Sequence, residues 1–322
     1  MKNYFEIKNL KVDYRTYEGD QNTLDIEHLV LEKGKCFGLV GESGAGKSVL
    51  AQTILGILST PPGVIKSGEI LFNGEDLLAK SEGKLRKIRG KKISMIFQDP
   101  MSTLNPVFTV GTQITRVIRQ NQRVNKKEAI KRAIEKIELV NMPDAEDILD
   151  CYPHELSGGQ RQRIIIAIAL SCDAELLIAD EPTRNLDVTI QAGILKLIAR
   201  LQKELNVTVL FIANNLGLVS ATCDHLAMLH EGKIIEMGTT KEVLHNPHHP
   251  YTKAYIEAIP KDAEHSIHLE QIAKGTAAPV NSTGCANISL CLEKEEQCHQ
   301  LVPPLKPIVG THFVACHRVH GK

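Results

Sequence analysis

The 322-residue chain has no tryptophan, and aromatic residues make up only 4% of it. That scarcity excludes little, because 43% of the residues are still hydrophobic and a large core is within reach. Charge of one sign is also lacking. The 38 basic and 38 acidic side chains leave no formal net charge, and no block of like charge stands out. Bulk electrostatics therefore gives no reason to invoke nucleic acid or a polybasic membrane anchor. Long hydrophobic runs are missing too: the longest, such as Ile164 to Leu170, fall far short of a membrane span. Met1 to Glu6 carry no apolar stretch of the kind a secretory leader needs. The chain is expected to be cytosolic, or peripheral on the cytosolic side of a membrane. In that compartment its eight cysteines are not expected to form structural disulfides. No internal repeat is visible, which argues against two tandem copies of one domain.

What is present is organised around Gly41-Glu42-Ser43-Gly44-Ala45-Gly46-Lys47-Ser48, a G-x-x-x-x-G-K-S phosphate-binding loop. The apolar run Cys36 to Val40 leads in as a strand, and Val49 to Leu55 leads out with a helical pattern. The glycines let backbone N–H groups close on phosphate oxygens, and the helix N-terminus adds its positive dipole end. Lys47 is placed to reach the β- and γ-phosphates of ATP, and the Ser48 hydroxyl to hold Mg²⁺.

Elsewhere, Phe5 to Tyr14 alternates as a strand, and Lys92 to Phe97 is another strand ending at Gln98. Lys126 to Val140 has apolar residues at helical spacing. Leu176 to Asp180 is a continuous apolar run that suits a buried parallel strand. Val188 to Leu205 is a helix with Asp187 as its N-cap, and Val207 to Ile212 is the next core strand. Strands and helices in alternation predict an α/β fold with a mostly parallel sheet. The expected division is a nucleotide-binding core over 1–98 and 171–258, a helical insertion over 99–170 and a C-terminal module over 259–322.

Asp180 and Glu181 end a strand downstream of the loop. Asp180 is positioned to hold Mg²⁺, and Glu181 to polarise a water for in-line attack on the γ-phosphate. Leu156-Ser157-Gly158-Gly159-Gln160-Arg161-Gln162-Arg163 puts a hydroxyl and two glycines at a helix start, a second anion-binding surface. One phosphate loop does not need two such surfaces. The economical inference is a dimer in which Ser157, Gly158, Gly159 and Gln160 of each chain close on the partner's ATP.

With these motifs in this order, the sequence resembles an ATP-binding cassette (ABC) ATPase over residues 4 to about 238. It is similar, more closely and through the C-terminus, to the ATP-binding subunits of bacterial dipeptide, oligopeptide and nickel importers. That closer likeness is carried by Phe97-Gln98-Asp99-Pro100-Met101-Ser102-Thr103-Leu104-Asn105-Pro106, by Tyr152-Pro153-His154-Glu155-Leu156-Ser157 and by Asn246-Pro247-His248-His249-Pro250-Tyr251-Thr252. The resemblance implies a P-loop NTPase fold with an added antiparallel β subdomain. It also implies a second ATPase subunit, two membrane permeases and an external substrate-binding protein. Through it Gln98 is expected to touch Mg²⁺ or the attacking water, Tyr14 to stack on adenine, and Asp187 to signal across the dimer. A nickel importer, a soluble ABC ATPase outside transport and a mainly ATP-binding regulatory subunit are the alternatives.

The chain departs from the pattern at two places. Where the family carries a Thr-His-Asp-Leu switch, this sequence reads Ala213-Asn214-Asn215-Leu216, and Arg184-Asn185 stand where Thr-Ala is usual. Asn214 can still donate to a γ-phosphate, but it is shorter than histidine and cannot become cationic. An asymmetric pair is expected, in which the site on this chain's Lys47 and Asp180 binds ATP and hydrolyses it slowly.

Cys285, Cys291, Cys298 and Cys316 cluster in the C-terminal module at a spacing unlike a zinc ribbon. Four thiolates suit Zn²⁺ or an iron–sulfur cluster, and free thiols remain a third reading. The resemblance implies a [4Fe–4S] cluster, since some dipeptide-importer ATPases carry one on cysteines spaced this way. Cys36, Cys151, Cys172 and Cys223 read as small core residues.

Overall fold

The computed structural model describes residues 3–17, 19–99, 103–258 and 284–320. Pro100, Met101 and Ser102 of the motif after Gln98, and residues 259–283 of the C-terminal module, lie outside the described residues.

The chain opens with β1 (Phe5–Thr16), β2 (Gly19–Leu31) and β3 (Cys36–Val40), followed by the phosphate loop and α1 (Lys47–Leu55). Then come β4 (Gly63–Phe72), β5 (Glu75–Asp76) and β6 (Ile93–Ile96). Helices α2 (Val110–Gln122), α3 (Lys126–Leu139) and α4 (Gly158–Ala169) follow, with a short helix at Ala145–Asp150 between the last two, and then β7 (Leu176–Asp180) and α5 (Val188–Glu204). After these come β8 (Thr208–Ala213), α6 (Leu216–Ser220), β9 (His225–His230), β10 (Lys233–Thr239), α7 (Thr240–His245) and α8 (Pro250–Glu257), then β11 (Lys306–Val309) and β12 (His312–Val314), with short helices at Gln297–Gln300 and His317–His320.

These elements form two compact units. The first contains residues 1–31, 37–78 and 213–322. In it β2, β1, β4 and β5 make an antiparallel sheet in that order. β1 buries Phe5, Ile7, Leu10 and Val12 completely, and β2 buries Leu24, Ile26, Leu29 and Leu31 with them, the alternation slipping by one residue after Ile7 and after Ile26. β3 pairs in parallel with β9, β9 forms an antiparallel hairpin with β10, and β12 adds to the far side of β10 with β11 beyond it. The C-terminal segment is thus built into this unit's sheet through the register Glu236↔Val314 and Met237↔Phe313.

The second unit contains residues 32–36 and 79–212. Its strands β6, β7 and β8 are parallel, and every residue of β7 and β8 is buried. That explains why both read as unbroken apolar runs. No strand occurs among the described residues between β6 and α4. Side-chain caps fix the helix starts: Thr109 for α2, Asn125 for α3, Ser157 for α4 and Asp187 for α5 each accept a first-turn N–H.

Candidate nucleotide site

The first unit carries the phosphate loop between the fully buried β3 and α1. Gly41 has no room for a side chain, since a Cβ would sit 2.1 Å from the Leu229 carbonyl oxygen. Gly46 is the N-cap of α1 at φ 103°, a left-handed backbone that glycine adopts without strain. Ser43 and Gly44 are exposed at the tip, Ala45 is buried, and Ser48 and Val49 are half-buried in the first turn of α1. Lys47 is buried, and its Nζ donates to the carbonyls of Gly41 at 2.8 Å and Glu42 at 2.7 Å. The ammonium is therefore held over the loop, where the phosphates of a nucleotide would compete for it.

The same unit places two aromatics near the end of β1. Tyr14 is half-buried and paired with Gln21 of β2 and Gly63 of β4. Tyr17, at the β1–β2 turn, is fully exposed (112%). Sequence reasoning passes over Tyr17 because no periodicity marks a turn aromatic. Asn214 is exposed just after β8, and its carbonyl accepts the Tyr255 hydroxyl at 2.6 Å. Asn215 caps α6 through Gly217 N–H.

The second unit holds the acidic residues. Asp180 ends β7 and is 3% exposed. Glu181 takes a left-handed backbone, φ 44°, and its N–H donates to the Ile212 carbonyl at 3.0 Å. A non-glycine residue in that region is strained, and such strain concentrates at working sites. One Glu181 carboxylate oxygen, Oε2, receives both the Gln98 amide at 2.7 Å and the Arg184 guanidinium at 3.3 Å. Gln98, Glu181 and Arg184 are thus one hydrogen-bonded group, and the departure at position 184 acts directly on the acid. Nothing in the sequence alone predicts that contact.

At the start of α4, Ser157 and Gln160 form a reciprocal capping box: Ser157 N–H donates to Gln160 Oε1 at 2.8 Å, and Gln160 N–H to Ser157 Oγ at 3.3 Å. Ser157 stays exposed, and Gly159 packs so closely on α5 that a Cβ would lie 2.8 Å from Ile190. Asp187 caps α5, with Oδ1 accepting Ile190 N–H at 2.9 Å, and is exposed.

In the C-terminal segment Cys285, Cys291, Cys298 and Cys316 line one small pocket. Cys285 N–H donates to the Cys298 carbonyl at 2.8 Å, and a Cβ on Gly284 would meet that same oxygen at 2.3 Å. Burial pushes the Cys285 thiol up to about 11, and the other three thiols beside it add to the rise. Burial also raises Cys316. Among the described residues no three His, Cys, Asp or Glu side chains are gathered closely enough to hold a metal ion.

The family described as "ABC transporter" matches residues 24–184, and "Oligopeptide/dipeptide transporter, C-terminal region" matches residues 235–298. The oligopeptide transport ATP-binding protein OppD of Bacillus subtilis is 41% identical, over 98% of this chain and 88% of its own length. The dipeptide transport ATP-binding protein DppD of Lactococcus lactis is 46% identical, over 96% of this chain and 88% of its own. Among solved structures, the dimeric MJ0796 bacterial ABC transporter cassette is similar with a TM-score of 0.65 and 25% identity, covering 73% of this chain and 98% of that one. A dimeric post-hydrolysis form of the same cassette, bound to ADP and Pi, is similar with a TM-score of 0.63, 26% identity and the same coverage. The chain has the P-loop NTPase fold of these cassettes, and it belongs to the ABC transporter ATPases, within their oligopeptide and dipeptide transport group.

Proposed function

We propose that this chain is one of two non-identical ATP-binding subunits that energise import of di- or oligopeptides. It would work with two membrane permeases and an external substrate-binding protein, from the cytoplasmic face of the membrane. The observation that carries this reading is the match of residues 235–298 to the oligopeptide/dipeptide transporter C-terminal region, together with the peptide-transport roles of the relatives. No helix among the described residues is long and apolar enough to cross a membrane, which leaves a separate permease to form the path. ATP would be held by Gly41, Glu42, Ser43, Gly44, Ala45, Gly46, Lys47, Ser48 and Val49, with Mg²⁺ on Ser48, Gln98 and Asp180. Tyr14 or Tyr17 would stack on adenine. Ser157, Gly158, Gly159 and Gln160 would close on the nucleotide of the partner subunit. Reconstitution with the cognate permeases and binding protein tests this: ATP-driven uptake of labelled peptide is expected, and uptake of Ni²⁺ without peptide would reassign the substrate.

This chain's own site is the slow member of the pair. Two features support that: Asn214 replaces the switch histidine, and Arg184 occupies the carboxylate that must activate water. With the partner subunit's catalytic glutamate replaced by glutamine, residual ATP hydrolysis should fall below a tenth of the intact complex, and Asn214→His should raise it. Full activity of that complex would refute the asymmetry.

A second reading concerns the four cysteines. They supply an all-thiol donor set around one pocket, and the glycine before Cys285 permits the close approach of two of their segments. In kind, that donor set is one that binds a [4Fe–4S] cluster or Zn²⁺, but the four side chains are not gathered closely enough here to hold a metal ion, so binding would have to draw Cys285, Cys291, Cys298 and Cys316 together. A bound cluster would supply a redox-active cross-link, and the chain's part is to release the four thiol protons and hold the thiolates. Anaerobically purified protein should contain iron and sulfide and absorb near 400 nm; zinc at one equivalent without iron would select the other metal.

A further inference from the structure

The helix α8 reaches two loops of the first unit's nucleotide site, and no proposed role yet uses it. At one end Glu42, inside the phosphate loop, meets His230 at the end of β9, with Nδ1 and Oε1 2.9 Å apart. His230 is buried, and its ring packs on Tyr251 with centroids 4.1 Å apart. Tyr251 and Tyr255 lie one turn apart on α8, with ring centroids at 5.8 Å. The Tyr255 hydroxyl then donates to the carbonyl of Asn214 at 2.6 Å. The series Glu42, His230, Tyr251, Tyr255, Asn214 is thus continuous from the phosphate loop to the switch position.

The brace is itself anchored. Glu236 of β10 is fully buried and accepts the backbone N–H groups of His248 at 2.7 Å and His249 at 3.0 Å, just ahead of α8. His312 of β12 closes on the same carboxylate at 2.8 Å. His249 in turn caps α8 by accepting Tyr251 N–H. The start of α8 therefore has its position fixed by a buried carboxylate rather than by surface contacts.

We infer that Tyr255 and His230 are positioning residues for ATP turnover, holding the Asn214 backbone and the Glu42 arm of the phosphate loop through α8. The inference rests on the reading of Asn214 as the switch residue. An asparagine is shorter than a histidine, so whether its amide reaches a γ-phosphate depends closely on where its backbone is held. Tyr255 bonds that backbone and not the side chain, so it places Asn214 without taking up its donor. His230 acts on the other loop, where nucleotide is bound rather than cleaved. The two arms predict separable defects: the Tyr255 arm in the rate of cleavage, the His230 arm in apparent ATP affinity.

The experiment uses the assembled transporter with the partner subunit's catalytic glutamate replaced, and reads single-turnover hydrolysis of ATP at this chain's site. Tyr255→Phe keeps the ring and removes one hydrogen bond, so cleavage should slow roughly three- to tenfold. Apparent ATP affinity should stay within about twofold, since the phosphate loop that holds the nucleotide is untouched. His230→Phe keeps a ring against Tyr251 and should weaken ATP roughly two- to fivefold with little change in the cleavage rate. The decisive variant is Tyr255→Phe combined with Asn214→Ala. If Tyr255 acts through Asn214, its cost should shrink below about twofold in that background, because residues acting as one unit are not additive. An equal cost in both backgrounds would mean that Tyr255 serves only the fold, and the brace is overturned. So it is if Asn214→Ala slows cleavage while Tyr255→Phe does not. If Asn214→Ala itself costs nothing, the reading of position 214 fails, and the switch arm of the brace falls with it.

Discussion

Two loops in this chain each follow a fully buried strand, and they are confined by different parts of the polypeptide. The phosphate loop after β3 is confined by backbone: Gly41 lies against the Leu229 carbonyl, Gly46 holds a left-handed φ, and Lys47 is tied to two loop carbonyls. The loop from Asp180 to Asp187 after β7 has a backbone anchor too, Glu181 N–H on the Ile212 carbonyl, but adds side-chain ties that the phosphate loop's N–H groups do not need: Gln98 and Arg184 on Glu181, and Asp187 on the first turn of α5. Phosphate is bound by main-chain N–H groups, whose geometry leaves almost no choice of residue. Water is activated by side chains, which can be exchanged without disturbing the fold. On the proposed roles, nucleotide binding would be kept intact while hydrolysis is tuned, since the two departures, Arg184 and Asn214, are both assigned to cleavage rather than to phosphate binding.

The sharpest way to break that contrast is at Lys47. Lys47→Ala removes the one cation of the phosphate loop, and ATP turnover at this site should fall on the order of 10²–10³-fold. Nucleotide binding and phosphate release measure it, and a loss under tenfold would contradict the assigned role. Next in size is Gly41→Ala, whose added methyl meets backbone that cannot turn aside. It should cost roughly 1–3 kcal/mol in denaturant unfolding, as overpacking does. On the other loop, Asp187→Ala should cost about 1 kcal/mol through the lost cap. Asp187→Ser retains the cap, so a loss of activity in that variant at unchanged stability would support the proposed role of Asp187 across a dimer, and full activity would count against it. The smallest effect is expected at Arg184→Thr. The guanidinium is half exposed, so its pull on Glu181 is screened by solvent, and its removal should speed single-turnover hydrolysis roughly two- to fivefold. A slower rate in that variant would mean that Arg184 assists Glu181.

A milder contrast concerns adenine. Tyr14 is locked in the β1 ladder, whereas Tyr17 is free of close packing at the turn. Tyr17→Ala should weaken ATP more than Tyr14→Phe if the turn aromatic is the platform. A larger loss for Tyr14→Phe would return the role to the strand.

Much of the fold can be read locally. The spans of α3 and α5 follow from apolar spacing, helped at α5 by its Asp187 cap, and β7 and β8 from unbroken apolar runs. The β2 strand is not legible in the same way. Leu24, Ile26, Leu29 and Leu31 all face inward, but the spacing between Ile26 and Leu29 breaks the alternation that would mark a strand. Its strand state depends on pairing with β1, whose register itself shifts after Val12. The C-terminal segment differs more. Composition predicts an appended module, yet β12 pairs with β10, because strand pairing depends on a partner far away in sequence.

The sequence by itself determined the phosphate loop, its lysine and the signature at Ser157–Gln160, because their chemistry is written in contiguous residues whose types admit few alternatives. It also marked positions 184 and 214 as departures. Only the tertiary structure decided what those departures touch. Arg184 reaches the Glu181 carboxylate, and Asn214 is held through its carbonyl by Tyr255 on a helix about forty residues later. Such contacts depend on side-chain reach between separate segments, and no local pattern encodes that reach. The phosphate loop is legible because backbone geometry restricts its residues; the contacts of Arg184 and Asn214 are not, because they join side chains and backbone that folding alone brings together.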